Sequence, residues 1–340
     1  MISEQLGKLT GFMARDNIQL SIIVLSYNTR ELLKKCLGSV ISDLQLAVRE
    51  KGRGFDTPPI TNHQPPITEI IVVDNGSTDG SVEEIKNEKL KIKNKDLRLI
   101  VIENKKNVGF AKGNNQGIKE AGGEYIMLLN SDTVVEPGAI KKLLGFLENN
   151  PSVAVSPLLI LPSGRLQTDY YMRFPNFWQI FLYHNPILRP MVMRISFLRL
   201  LIARKAGDKP FKVDQLPGAV LLASREVWGK VGFLDEDYHF LFEDVDWCWR
   251  AKRLGIGRIV VSGAKITHIG GASWKQSLKE NSFGFYYQFF ASMLLFFRKN
   301  YGKFNATIFK WLIIINFFLT LKPKLAWQFI KNDGKQKNFL

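Results

Sequence analysis

The chain has 340 residues, 46% hydrophobic and 23% charged, which excludes a disordered polypeptide and allows one large α/β domain with appendages. Its two cysteines, Cys36 and Cys248, exclude a disulfide framework, lack metal-ligand spacing and fit a reducing compartment. The net charge of +16 is concentrated in two stretches: 170–207 has six Lys/Arg and no acid, and 281–340 has nine against one acid.

Residues 1–17 contain no apolar core of signal-peptide length, so the folded body is expected in the cytoplasm. Leu20 to Ser26 is a short β-branched apolar run and predicts a buried parallel strand. Glu31 to Val48 carries Leu32, Leu33, Leu37, Val40, Ile41 and Leu44 at helical spacing. Residues 51–66 are polar and rich in Pro and Gly, as in a loop. Further strands are predicted at Ile67–Val73, Leu97–Ile102 and Tyr125–Leu129, with helices near Ser81–Lys89 and Gly113–Ala121 between them. Such alternation implies a parallel sheet with right-handed crossovers, whose ligands bind beyond the carboxyl ends of the strands. The polar clusters fall at those ends: Ser26-Tyr27-Asn28, Asp74-Asn75-Gly76-Ser77, Asn104 onward, and Asn130-Ser131-Asp132.

Each cluster has a chemical and a plain structural reading. Asp74 can accept hydrogen bonds from a base or ribose, whereas Ser77 and Asp79 also suit a turn and helix cap. The loop Asn107-Val108-Gly109-Phe110-Ala111-Lys112-Gly113-Asn114-Asn115 enters a helix, where exposed amides suit a diphosphate, although tight turns look similar. Asn130-Ser131-Asp132 offers hard oxygen ligands for a divalent cation, or a helix-capping turn before the next helix. In Glu243-Asp244-Val245-Asp246, like charges and apolar walls raise a carboxyl toward general-base range; acids at a helix start and an Asp246–Arg250 pair are the structural alternative. His268 precedes a Gly-Gly-x-Ser loop able to wrap a phosphate, though a lone His is more often structural.

The order of these motifs, with Gly218-Ala219 and His268-x-Gly270-Gly271-x-Ser273, resembles family-2 glycosyltransferases of the GT-A fold over about residues 18–275, closest to the bacterial rhamnosyltransferase-like branch. The resemblance implies a Rossmann-like, mostly parallel sheet flanked by helices. It also implies inverting, Mg²⁺- or Mn²⁺-dependent transfer from a dTDP- or UDP-sugar to a lipid-linked or glycan acceptor in cell-envelope synthesis. On this basis Asp244 matches the catalytic base, and Asp132 and His268 match metal ligands. Tyr27, Asn28, Asp74, Asn75, Ser77, Asn107, Gly109, Gly113, Asn114, Asn130 and Ser131 are expected on the donor side. Gly218, Ala219, Glu243 and Asp246 are expected on the acceptor side. One departure is Asn130, an amide where the family's DxD has its first carboxylate.

The expected organisation is an N-terminal extension (1–17) and a GT-A domain (18–280), then basic apolar C-terminal helices (281–340). The GT-A domain divides into a nucleotide-sugar half (18–157), a basic apolar insertion (158–210) and an acceptor half (211–280). Phe283–Phe297 and Trp311–Leu321 are uncharged runs shorter than the ~20 residues that span a bilayer. With flanking lysines they predict interfacial or re-entrant helices on an anionic membrane surface, at its cytoplasmic face. Competing readings are a non-catalytic sugar-nucleotide-binding homologue, a nucleotidyltransferase and a basic membrane- or nucleic-acid-binding protein. Nucleic acid is disfavoured because the positive residues accompany long aliphatic runs. A nucleotidyltransferase would have a basic Gly-rich loop where Ser26-Tyr27-Asn28-Thr29-Arg30 stands.

Overall fold

The computed structural model describes residues 18–51, 67–92, 96–167, 173–177, 185, 188–195, 208–239, 241–270 and 281–336. The N-terminal extension, the 52–66 loop, about half of the basic apolar insertion, and Gly271 and Ser273 lie outside the described residues.

Nine strands form one sheet among the described residues. They are β1 (Ile18–Ser26), β2 (Ile67–Asp74), β3 (Leu97–Glu103), β4 (Tyr125–Asn130), β5 (Thr133–Val135), β6 (Val153–Ile160), β7 (Phe211–Lys212), β8 (Val220–Ser224) and β9 (Gly257–His268). The order is β3-β2-β1-β4-β8-β6-β9-β5, with β7 paired to β9. The predicted strands are all present, and β1 to β4 pair in parallel. Beyond β4 the sheet is mixed: β8 runs antiparallel to both β4 and β6, while β9 is parallel to β6 and antiparallel to β5.

Helices cover both faces, and side-chain alternation explains how. Leu20, Ile22 and Val24 of β1 face α1 (Arg30–Lys51), α2 (Ser81–Lys91) and α4 (Ala139–Glu148). Ile23 faces the other way, toward α3 (Phe110–Glu120), α6 (Arg225–Val231) and α7 (Glu243–Arg253). Burial on both faces is why these strands read as continuous apolar runs. A short α5 spans Arg189–Arg194.

On α3, a Cβ at Gly113 would lie 2.5 Å from Leu25 Cδ1, and one at Gly117 would lie 2.4 Å from Ile23 Cγ2. The two glycines let the helix press against β1. Gly113 therefore seats α3, and its expected place on the donor side is indirect.

The C-terminal expectation divides. Helices α8 (Ser282–Leu319) and α9 (Pro323–Lys331) follow β9, and α8 is long and apolar enough to cross a membrane by length and composition. Yet Gly302 inside α8 has φ 84° and ψ 168°, which breaks the helix. Within the first run, Tyr287, Phe290, Leu294, Phe296 and Phe297 are buried in the same core as Trp247 and Phe242. Those side chains pack on the α/β body.

Candidate active site

Strand register brings the sequence clusters to one edge of the sheet. Ser26 pairs with Asp74, Asp74 with Glu103, and Leu25 with Asn130. The loops after β1 and β2 then interlock. Asn28, at φ 50°, donates its amide to Ser77 Oγ at 2.9 Å, and Asn28 Oδ1 accepts from the Thr78 amide at 2.8 Å. Asp74 Oδ2 accepts from the amides of Gly76 and Ser77 at 3.1 and 2.9 Å. Asp74 Oδ1 is buried without a protein partner among the described residues, which leaves an acceptor for a ligand N–H or O–H. Tyr27, which follows the Ser26 that pairs with Asp74, is exposed.

Asn75 organises the glycine loop. Its Nδ2 donates to Asn107 Oδ1 at 2.8 Å, and its Oδ1 accepts from the Val108 amide at 3.0 Å. The Gly109 amide is taken by Asn107 Oδ1 at 2.9 Å. Asn114 is buried and donates to the Phe110 carbonyl at 3.0 Å. These asparagines shape the loop that opens α3. Gly109 itself sits at φ 90°, a conformation that favours glycine. The next residue, Asn115, belongs to the same motif but had no role assigned from sequence: both ends of its side-chain amide hold Leu234, fastening α3 to the loop after α6.

Asn130, Ser131 and Asp132 form the turn from β4 into β5. Ser131 Oγ lies 2.9 Å from Thr29 Oγ1, which is itself 2.9 Å from Ser26 Oγ, so a hydroxyl chain ties this turn to β1. Asp132 meets His268 because β5 pairs antiparallel with β9, Thr133 opposite His268. The Ile269 amide donates to the Asp132 carbonyl at 2.9 Å, and His268 Nε2 lies 3.2 Å from Asp132 Oδ1. His268 Nδ1 is 3.0 Å from Oε1 of Gln167, on the hairpin that follows β6.

An amide oxygen only accepts, so Nδ1 carries the proton in this arrangement. Nε2 then faces a carboxylate oxygen, and a proton or a cation must lie between the two atoms. One carboxylate and one imidazole suit a divalent cation whose remaining ligands are diphosphate oxygens and water. Among the described residues no third His, Cys, Asp or Glu joins the pair. Gln167, which orients His268, carried no sequence signal because a lone Gln at a hairpin end belongs to no motif.

The acidic motif opens α7. Leu241 and Phe242 have φ 58° and 77°, so two consecutive left-handed residues turn the chain sharply into the helix. Asp244 is half-buried; its Oδ2 accepts from the Gly218 amide at 2.7 Å and its Oδ1 from the Val245 amide at 2.8 Å. The neighbouring Ala219 carbonyl accepts from the Asn130 amide at 2.9 Å. Gly218-Ala219 thus joins Asp244 to the end of β4 by backbone alone. A Cβ on Gly218 would come within 3.2 Å of Asp244 Oδ2, so glycine permits the approach.

Burial pushes Glu243 up to about 8, with the Asp244 charge adding to it. Burial also raises Asp244, against the amides of Gly218 and Val245. Glu243 Oε2 is buried without a partner among the described residues. Asp246 behaves differently: Arg250 Nε donates to it at 2.8 Å, with the Tyr238 hydroxyl and Asn300 amide at 3.3 Å. Its oxygens hold α7 to neighbouring elements.

The family described as glycosyl transferase family 2 matches residues 21–201, more than half of the chain. The chain belongs to that family. The chain is 29% identical over 174 residues to the dTDP-rhamnosyl transferase RfbF of Shigella flexneri, a match covering 50% of this chain and 52% of that protein. It is 31% identical over 158 residues to the poly-beta-1,6-N-acetyl-D-glucosamine synthase of Staphylococcus epidermidis, covering 45% of this chain and 32% of that one. The chain thus matches about half the length of the first relative and less of the second.

In fold it is similar to the mannosyltransferase PcManGT from Pyrobaculum calidifontis in complex with GDP-Man and Mn²⁺. The TM-score is 0.52 at 17% identity, over 97% of this chain and 81% of that one. The GalNAc-T7 structure with UDP, GalNAc and Mn²⁺ gives the same TM-score of 0.52 at 16% identity, over 94% of this chain and 57% of that one. The architecture is that of the GT-A glycosyltransferases. The family match includes Asp74 and Asp132 but ends before Asp244 and His268.

Proposed function

We propose that this glycosyltransferase inverts configuration while moving a sugar from a nucleoside diphosphate to a hydroxyl on a lipid-linked or glycan acceptor. The observation that carries the reading is the convergence at the end of β4. Asp132 lies against His268 there, and Gly218-Ala219 ties Asp244 to the same strand end. Asp74 Oδ1 accepts from the nucleoside, and the first turn of α3 faces the diphosphate with its amides. Asp132 and His268 would hold Mg²⁺ or Mn²⁺, which would offset negative charge on the departing diphosphate. Asp244 takes the proton from the acceptor hydroxyl as that oxygen attacks the anomeric carbon opposite the diphosphate. Glu243, protonated beside it, donates to an acceptor oxygen. Asp246 positions α7 through Arg250.

The similarity to a dTDP-rhamnosyl transferase makes dTDP-rhamnose the first donor to try, and the synthase relative makes UDP-GlcNAc the second. We place the reaction at the cytoplasmic face of a membrane, in envelope glycan synthesis. The test is a thermal-shift panel of nucleotide sugars with and without Mn²⁺, followed by product NMR with the responding donor. A donor-specific shift and an inverted anomeric configuration support the reading. No response to any donor, or retained configuration, overturns it.

A further inference from the structure

The two halves of α8 fold on each other. Phe297 stacks on Phe309 at 3.5 Å, and Phe290 meets Phe317 edge-on at 5.0 Å. Numbers fall on one side as they rise on the other, so the halves form an antiparallel hairpin about Gly302. Phe289 and Phe296, in the first half, pack on Phe242 at 5.5 and 6.3 Å, immediately before the Glu243-Asp244 pair. The inner half therefore buttresses the acidic turn.

The outer half has a second face. Phe309, Ile313 and Phe317 point inward, while Phe304, Ile308, Trp311, Ile315 and Phe318 are exposed at three- and four-residue spacing. Phe304 is 78% exposed, Leu321 in the following turn 89%, and Trp327 on α9 66%. An apolar stripe of this length with two exposed tryptophans needs a partner. Charge indicates which kind. Lys303, Lys324 and Lys331 are exposed on the same two elements, and the sole acid of 281–340, Asp333, is already bound by Arg298 and Lys310. An apolar face edged by lysines, with tryptophan among its apolar groups, is complementary to an anionic lipid surface.

We propose that the exposed face of the second half of α8, with Leu321 and α9, docks on an anionic lipid bilayer with the hairpin lying in the interface. The inference deepens the membrane placement proposed above and is independent of which sugar is transferred. Spanning is disfavoured: the outer half, Lys303–Leu319, reaches only about 25 Å, and its inner side is buried in protein. Because the inner half holds the acidic turn, docking would bring the acceptor side of the cleft to a lipid-borne acceptor.

The test is sedimentation of the full chain with vesicles of phosphatidylcholine alone or mixed with phosphatidylglycerol. Binding to the anionic vesicles only, weakening as salt rises, is expected. Phe304→Ser, Trp311→Ser and Trp327→Ser combined should lose at least tenfold in binding, with thermal midpoint and donor-dependent turnover on a water-soluble acceptor unchanged. A second variant, Lys303→Glu, Lys324→Glu and Lys331→Glu, leaves the apolar packing intact and should lose binding as well. Quenching of Trp311 and Trp327 by brominated lipid should report shallow insertion. The proposal is overturned if the unmodified protein stays in the supernatant with both vesicles. It is equally overturned if the apolar face instead seals a dimer, seen by light scattering, that ignores lipid. Turnover on the soluble acceptor tests the glycosyltransfer reading separately.

Discussion

The backbone amide of Gly218 holds Asp244 Oδ2 at 2.7 Å, so a glycine beside β8 aims the carboxylate that opens α7. Asp244→Asn keeps the size and loses the base. Transfer should fall about 10²–10⁴-fold while donor binding by calorimetry stays near that of the unmodified protein. Gly218→Ala should cost roughly tenfold or more in kcat, because its Cβ would crowd Asp244 at 3.2 Å. Donor KM should hardly change. Full activity in Asp244→Asn would remove it from the base role.

His268 reaches Asp132 in an orientation fixed by Gln167. Gln167→Ala should weaken Mn²⁺ binding about 10–100-fold, read by titration with nucleotide present, while metal-free nucleotide affinity stays constant. Gln167→Glu still accepts from Nδ1 and should retain binding. Equal Mn²⁺ affinity in Gln167→Ala would show that His268 needs no such support.

Asn130 stands where a second carboxylate would add charge to the cation site proposed at Asp132 and His268. Asn130→Asp should tighten Mn²⁺ binding, since a hard divalent cation gains an anionic oxygen nearby. Unchanged or weaker Mn²⁺ affinity in the same titration would place this side chain away from the cation.

Glu243 makes stability depend on pH in a direction opposite to a salt-bridged acid. Its folded value is raised from 4.5 to about 8, so between those limits the folded state binds more protons than the unfolded one. Its contribution is complete below about pH 4.5 and is lost as pH rises through about 8. Glu243→Gln should therefore stabilise the protein by on the order of 1–3 kcal/mol at pH 8–9 and by little near pH 4. Denaturant melts across pH give the comparison. The raised Asp244 also puts the acid limb of transfer above the ordinary carboxylate range.

Gly117 supports the site from within the core. Gly117→Ala would push a methyl against Ile23 at 2.4 Å. A loss of about 1–3 kcal/mol is expected, typical of overpacking, measurable by urea unfolding.

Much of the first half was legible because local patterns decide it. The β1 to β4 runs are continuous and apolar since both faces are covered by helices, and their polar ends mark the ligand edge. The loop asparagines were visible but their task was not: Asn75 and Asn114 bond to neighbouring backbone and side chains, a matter of loop geometry. Asp246 likewise turned inward to Arg250, which helical spacing alone allowed but did not require.

What the sequence by itself determined was therefore where the first four strands lie and that they run parallel, the acids at strand ends and the unequal distribution of charge. Tertiary structure decided the rest. Asp132 and His268 are joined by β5–β9 pairing across a long stretch of chain, and Asp244 is aimed by a glycine on another element. The first C-terminal apolar run went into the protein core while the second kept an exposed face. The physical reason is that hydrophobicity and periodicity say that a surface must be covered; only the packed chain decides by what.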